Sequence, residues 1–154
     1  MAVVSMSAAL GDKETEKEYC ERIVTKGGAS ADLAGQAYCN LGVLCEGQDE
    51  EIGYYEKSIQ LKPGAFAPMY SLACAHAARQ HWSQAVQSFH QAAALAADKD
   101  EKLMALKNLY RCACAIVQSD PAAATASPQD MLARLQQEMG LENFELLTQL
   151  TKRA

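Results

Sequence analysis

Cysteine and histidine are the residues in this chain with the greatest chemical potential. The 154 residues include six cysteines and three histidines. Thiolates and imidazoles bind zinc when they recur at short spacings, and a thiolate beside an imidazole can act as a nucleophile. No Cys-x-x-Cys pair occurs, and the spacing of Cys112 and Cys114 points the two thiols to different sides of a helix. We therefore predict no metal site and no cofactor, and nothing specific supports a Cys-His nucleophile pair.

The histidines are explained by packing and by solvent exposure rather than by ligation. His76 lies on an apolar stripe, His81 falls in a polar break, and His90 lies on the polar side of its segment. A catalytic reading would need a convergent polar pocket, which the sequence does not indicate. We predict a protein that is not an enzyme.

The cysteine pattern favours free thiols over disulfides. The start MAVVSMSAAL lacks the basic segment of a secretory signal, and most of the cysteines fall at small-residue positions of predicted helices. Buried free cysteines behave as small hydrophobic residues. The expected location is a reducing compartment, the cytoplasm.

Charge and hydropathy exclude two classes of partner. The net charge is −5, from 14 basic and 19 acidic side chains, and the acidic excess lies in residues 1–62. Binding to nucleic acid or to an anionic membrane surface requires a basic face. No uncharged apolar run is long enough to span a bilayer. We predict neither nucleic-acid binding nor membrane insertion.

The apolar periodicity indicates an all-α fold. Few runs alternate with period two, whereas small and large apolar residues recur at helical spacing. The predicted helices cover 12–26, about 30–45 with Ser30 or Asp32 as the cap, 49–61, 66–78, 82–96, 98–117, 128–139 and 141–152. The predicted organisation is a flexible N-terminus (1–11), a helical domain (12–117), a linker (118–127) and a C-terminal helical segment (128–151) that packs on the domain or on a partner.

A repeat of about 34 residues organises the predicted helical domain. The central copy reads Met69-x2-Leu72-Ala73-x2-His76 followed by Ala85-x3-Phe89. The copy before it begins at Tyr38, with Glu51-x3-Tyr55, and the copy after it begins at Leu103. Over residues 31–117 the chain resembles the tetratricopeptide-repeat (TPR) family. The resemblance implies a short right-handed solenoid of helical hairpins.

Two departures from the repeat pattern affect the predicted packing. Glu51 replaces the small residue at which the two helices of a hairpin touch, which predicts a splayed or short first hairpin. Lys107 replaces the small residue after Leu106, so the sixth helix is predicted to cap the array. The first helix, 12–26, is predicted to pack against Leu41.

The resemblance also implies where a partner would bind. In this family the concave face, formed by the first helix of each hairpin, holds a peptide or helix of a partner protein. The implied groove residues are Cys39, Val43, Tyr70, Cys74, Ala77, Met104, Asn108 and Arg111. The alternative is that the C-terminal helices of the chain itself fill this groove.

The predicted function is that of an adaptor or scaffold that binds a protein or peptide partner. One alternative is a structural subunit of a larger assembly or a homodimer, because residues 63–97 carry Arg79 as their only formal charge. A weaker alternative is the family's clamp for acidic chaperone tails. That clamp needs Lys, Asn and Arg in the groove, and the corresponding positions include Cys39, Val43 and Met104.

Overall fold

The computed structural model describes residues 12–152, and this part of the chain is all-α. It contains eight α-helices and a short 3₁₀ helix, without a β-strand between residues 12 and 152. No helix of this region is long and apolar enough to cross a membrane. The predicted flexible N-terminus, 1–11, lies outside the described residues. The chain divides into two compact units, one ending at Ser71 and the other beginning at Leu72.

The first unit contains helices α1 (Lys13–Thr25), α2 (Ala31–Leu44) and α3 (Glu50–Leu61), and the first turns of α4 (Phe66–Ala78). Of the two caps proposed for α2, Ser30 is the one used, because its hydroxyl oxygen accepts a hydrogen bond from the Leu33 amide.

Helix α1 packs against α2, as predicted. Cys20 of α1 forms a buried cluster with Ala37 and Leu41 of α2, and Tyr38 and Tyr54 pack on its edge. The aliphatic and thiol side chains exclude water from this contact, which gives α1 a buried stripe despite its many charges.

Helices α2 and α3 form a closed hairpin, so the splaying predicted from Glu51 does not occur. A β-carbon added at Gly42 would lie 2.4 Å from the Tyr55 ring, which shows how closely the helices approach. The Ser58 hydroxyl donates a 2.7 Å hydrogen bond to the Gly35 carbonyl. Glu51 is buried, and its carboxylate turns back to accept a 3.0 Å bond from the Gly47 amide. The long side chain caps the turn instead of separating the helices.

The second unit contains the end of α4 and four further helices. These are α5 (Trp82–Leu95), α6 (Lys99–Ser119), α7 (Pro128–Met139) and α8 (Leu141–Lys152). Asp98 caps α6 through the Glu101 amide. Ser127 caps α7 in a capping box with Asp130.

Helix α6 is the central element of the second unit. It packs against α5 on one side and against α7 and α8 on another. Its buried residues include Leu106, Leu109 and Val117, which recur at helical spacing and form one buried stripe along the helix. Whereas the sequence predicts α6 as the cap that closes the array, two more helices pack on it. The predicted linker, 118–127, lies inside this unit and forms a 3₁₀ helix at Pro121–Ala124.

The low charge of residues 63–97 has a simple basis on α5. The exposed positions of this helix include Gln84, Gln87, His90 and Gln91, which are polar without formal charge. The sequence predicts that this hairpin is covered on more than one side. On α5, glutamine side chains form the exposed side and Ala85 and Phe89 form the buried side, while His90 Nδ1 lies 2.6 Å from the side-chain nitrogen of Asn143 on α8.

Candidate functional site

The predicted groove residues of the first unit differ widely in exposure. Cys39 is buried, Tyr70 is half-buried and Val43 is 55% exposed. The Tyr70 ring stacks on Phe66 with ring centroids 5.4 Å apart. Of these three predicted contacts, Val43 is the one that presents a large apolar surface to solvent.

The predicted groove residues of the second unit also differ in their exposure to solvent. Cys74 and Ala77 on α4 are half-buried, and Met104 on α6 is 43% exposed. The Asn108 side chain donates a 3.2 Å hydrogen bond to the Met104 carbonyl. Arg111 is exposed, but it lies beside the C-terminal helices and lines a cleft with them. Arg111 thus lies beside the C-terminal helices, which are the alternative occupant of the groove predicted from the sequence.

The surface that Arg111 lines is a cleft of about 480 Å³ where α6, α7 and α8 meet, here called the C-terminal cleft. Its lining is Lys107, Tyr110, Arg111, Leu132, Leu135, Phe144, Leu147, Thr148 and Thr151. Leu132 is 47% exposed and Tyr110 is 38% exposed. Leu132 and Leu135 also line an adjoining cleft of about 250 Å³ beside Pro128 and Met131. Leu132 and Leu135 thus connect two concave apolar surfaces of the second unit.

Most polar groups of the C-terminal cleft already have a partner within the chain. The Thr148 hydroxyl donates to the Phe144 carbonyl at 2.8 Å, and the Thr151 hydroxyl donates to the Leu147 carbonyl at 2.9 Å. The Tyr110 hydroxyl bonds to the Cys114 thiol, and this bond raises the pKa of Tyr110. Lys107 and Arg111 are different, because no ion pair joins either of them to a carboxylate of residues 12–152.

The first unit carries a smaller cleft, here called the N-terminal cleft. It encloses about 330 Å³ and is lined by Tyr19, Arg22, Ile23, Lys26, Gly27, Gly28, Ala29 and Leu33. It also contains two cations, but Glu18 lies four positions before Arg22 on the same helix. An acidic residue at that spacing lies close enough to moderate the charge of Arg22.

The thiols are arranged for packing rather than for reaction. All six cysteines are free, and Cys20, Cys39, Cys45 and Cys112 are buried. Burial raises the pKa of the Cys20, Cys39 and Cys112 thiols, which disfavours the nucleophilic thiolate. Within residues 12–152, no group of three or more His, Cys, Asp or Glu side chains is arranged to hold a metal ion.

Sequence reasoning missed the C-terminal cleft although its apolar residues were visible. At helical spacing, Leu132 and Leu135 fall on one apolar stripe of α7, and Phe144 and Leu147 fall on one apolar stripe of α8. A stripe shows that a helix face is apolar, but it does not show where three helices leave a gap. The neighbouring Lys107 and Arg111, four residues apart on α6, were the additional signal.

Comparison with known proteins provides no family assignment. No family model matches the chain, and no curated protein matches it significantly in sequence.

Proposed function

We propose that this protein is a non-enzymatic adaptor with a TPR-like arrangement of hairpins, which binds a peptide or helix of a partner protein. The observation that carries the proposal is that the predicted groove positions include exposed apolar side chains in both units, Val43 and Met104. Covering a large apolar side chain with a partner removes apolar surface from water and so favours binding.

The helical hairpins themselves support the TPR-like part of the proposal. In the first hairpin a small residue, Gly42, lies against the Tyr55 ring, as the repeat pattern requires of its small positions. The bounds of α4, Phe66–Ala78, are those predicted from the apolar periodicity. A right-handed solenoid and a cytoplasmic location belong to the same proposal, and the six free thiols are consistent with a reducing compartment.

Site-specific photo-crosslinking tests the proposed groove. A photoreactive residue would be placed at Val43, at Met104 and, as a matched exposed apolar control, at Leu61, which is 38% exposed. In extracts of the source cells, we expect the same polypeptide to crosslink at positions 43 and 104 and not at 61. Val43→Glu or Met104→Glu should remove the crosslink formed at the other position, with unchanged helical circular dichroism. Equal labelling at all three positions would contradict a groove.

A further inference from the structure

A second candidate interaction surface lies where the C-terminal helices α7 and α8 meet α6. We propose that the C-terminal cleft binds an acidic amphipathic segment of a partner protein. An apolar side chain of that segment would pack between Leu132 and Phe144, and a carboxylate would lie between Lys107 and Arg111. The proposal rests on the proposed protein-binding function and shares Arg111 with the predicted groove. It can be tested by itself at Lys107 and Leu132, which the predicted groove does not include.

The apolar floor of the cleft sets the first requirement for a ligand. Leu132 and Phe144 come from different helices, and Leu135 closes the bottom between them. Concave sites of about 300–1,000 Å³ with apolar walls suit side chains or small ligands. A volume of about 480 Å³ therefore accommodates one or two large apolar side chains of a docked helix.

The cations on the rim set the second requirement. Lys107 and Arg111 are one helical turn apart, and the positions three or four residues away from them on α6 contain no acidic residue. Like charges at this spacing repel each other. None of the residues that line the cleft is acidic. A ligand carboxylate would relieve the repulsion and gain charge-assisted hydrogen bonds to both side chains.

The other polar groups of the cleft are hydrogen-bonded within the chain. The two cations would therefore determine which ligand binds, and they favour an acidic one. Thr148, Thr151 and Tyr110 use their hydroxyl groups within the chain. Elsewhere in the same unit, Arg134 is paired with Asp120. Lys107 and Arg111 have no such ion pair within residues 12–152.

The overall charge favours a polypeptide over a polyanion. Phosphate backbones are bound by extended basic surfaces, whereas this chain has a net charge of −5 and the cleft offers two cations. Two cations one turn apart beside an apolar slot match a helix with a Leu or Phe anchor and an acidic residue one turn away.

Two peptides of opposite charge provide the decisive probe. Both would be fluorescein-labelled helical 14-mers with the same Leu and Phe anchors, one with Glu and its twin with Lys at the flanking turn positions. Fluorescence anisotropy at low salt should show at least tenfold tighter binding of the Glu peptide, and the difference should shrink at high salt. Equal affinity of the two peptides would overturn the proposal.

Charge reversal and anchor variants locate the binding. The double variant Lys107→Glu/Arg111→Glu should reverse the preference and bind the Lys twin, which also shows that the variant is folded. Leu132→Glu should lose both peptides, whereas Arg22→Glu/Lys26→Glu in the N-terminal cleft should retain the wild-type preference. Loss of binding in the Arg22/Lys26 variant alone would place the site elsewhere and refute the assignment.

Two further measurements separate other occupants of the cleft. Vesicles with anionic headgroups should not sediment the protein; sedimentation that depends on Lys107 and Arg111 would indicate a lipid and refute the proposal. The unliganded protein should not self-associate through this cleft in sedimentation velocity. A dimer abolished by Lys107→Glu/Arg111→Glu would show that a second copy is the occupant. Failure of the crosslinks at positions 43 and 104 would refute only the predicted groove.

Discussion

Two cations of the first unit and two cations of the second unit have different surroundings. In the first unit, the Lys57 ammonium lies 5.4 Å from the centroid of the Tyr38 ring and 5.9 Å from that of Tyr54, and Lys62 pairs with Asp32 at 3.4 Å. On α6 of the second unit, Lys107 and Arg111 have no such partner within residues 12–152. Lys57 and Lys62 thus have partners within the chain, whereas Lys107 and Arg111 have no ion pair within residues 12–152.

The helix contacts of the two units differ in the same direction. In the first unit α2 and α3 meet through Gly42 and leave no room beside the Tyr55 ring. In the second unit three helices meet through Leu132, Leu135 and Phe144 and leave a cleft of about 480 Å³. The small residue Gly42 lets α2 and α3 approach closely, whereas the surface between α6, α7 and α8 is concave.

The close contact between α2 and α3 in the first unit should be sensitive to added side-chain volume. Gly42→Ala places a methyl group against Tyr55, whose ring is buried and whose hydroxyl is hydrogen-bonded to Ser71. Because the ring cannot move away freely, we expect a destabilisation of about 1–3 kcal/mol. Chemical denaturation followed by circular dichroism, with hydrogen exchange of the α2 and α3 amides, measures this loss.

Gly53→Ala is the matched control for that substitution. Gly53 lies within α3, and a β-carbon added there has no heavy atom within 4 Å. In a helix, Ala is more favourable than Gly by about 1 kcal/mol, so this variant should gain stability. If both alanine variants gained stability, the close contact between α2 and α3 would be wrong.

Alkaline pH should lower the folding stability of the first unit because the pKa of Tyr55 is raised in the folded state. Burial and the nearby Glu51 raise the pKa of Tyr55 from 10.0 to about 12. Between these values the unfolded chain loses the phenol proton and the folded chain keeps it, so the folded state binds more protons and stability falls as pH rises. The expected loss is on the order of 1–2 kcal/mol between about pH 10 and 12.

The Tyr55→Phe variant isolates this titration. It removes the ionisable proton and keeps the ring, so its stability should fall less steeply over the same alkaline range. The protein's single tryptophan, Trp82, lies in the second unit, and its fluorescence reports that unit separately. A parallel loss of stability in both proteins would mean that other groups cause the alkaline loosening.

Helix positions could be predicted from sequence far better than the surfaces between helices. Ser127 before Pro128 identified the start of α7, because a capping hydroxyl and a proline at the first helical position act locally. The role of Glu51 could not be predicted in this way. Its effect depends on whether its carboxylate reaches the Gly47 amide, which is a property of the folded turn. The C-terminal cleft likewise depends on how three separate helices meet.

The smallest expected effects are the changes in folding stability when a single lysine is neutralised. The sign of the change should differ between a lysine that has a partner within the chain and one that has a like charge beside it. Lys57→Gln removes a cation from the Tyr38 and Tyr54 rings and should cost about 0.5–1 kcal/mol. Lys107→Gln removes one of two like charges one turn apart on α6 and should gain a few tenths of a kcal/mol. Denaturation at low and at high salt measures both changes, and the gain at Lys107 should disappear at high salt because it arises from repulsion. A loss of stability in Lys107→Gln would mean that Lys107 has a stabilising partner within the chain, and the contrast between the two units would then fail.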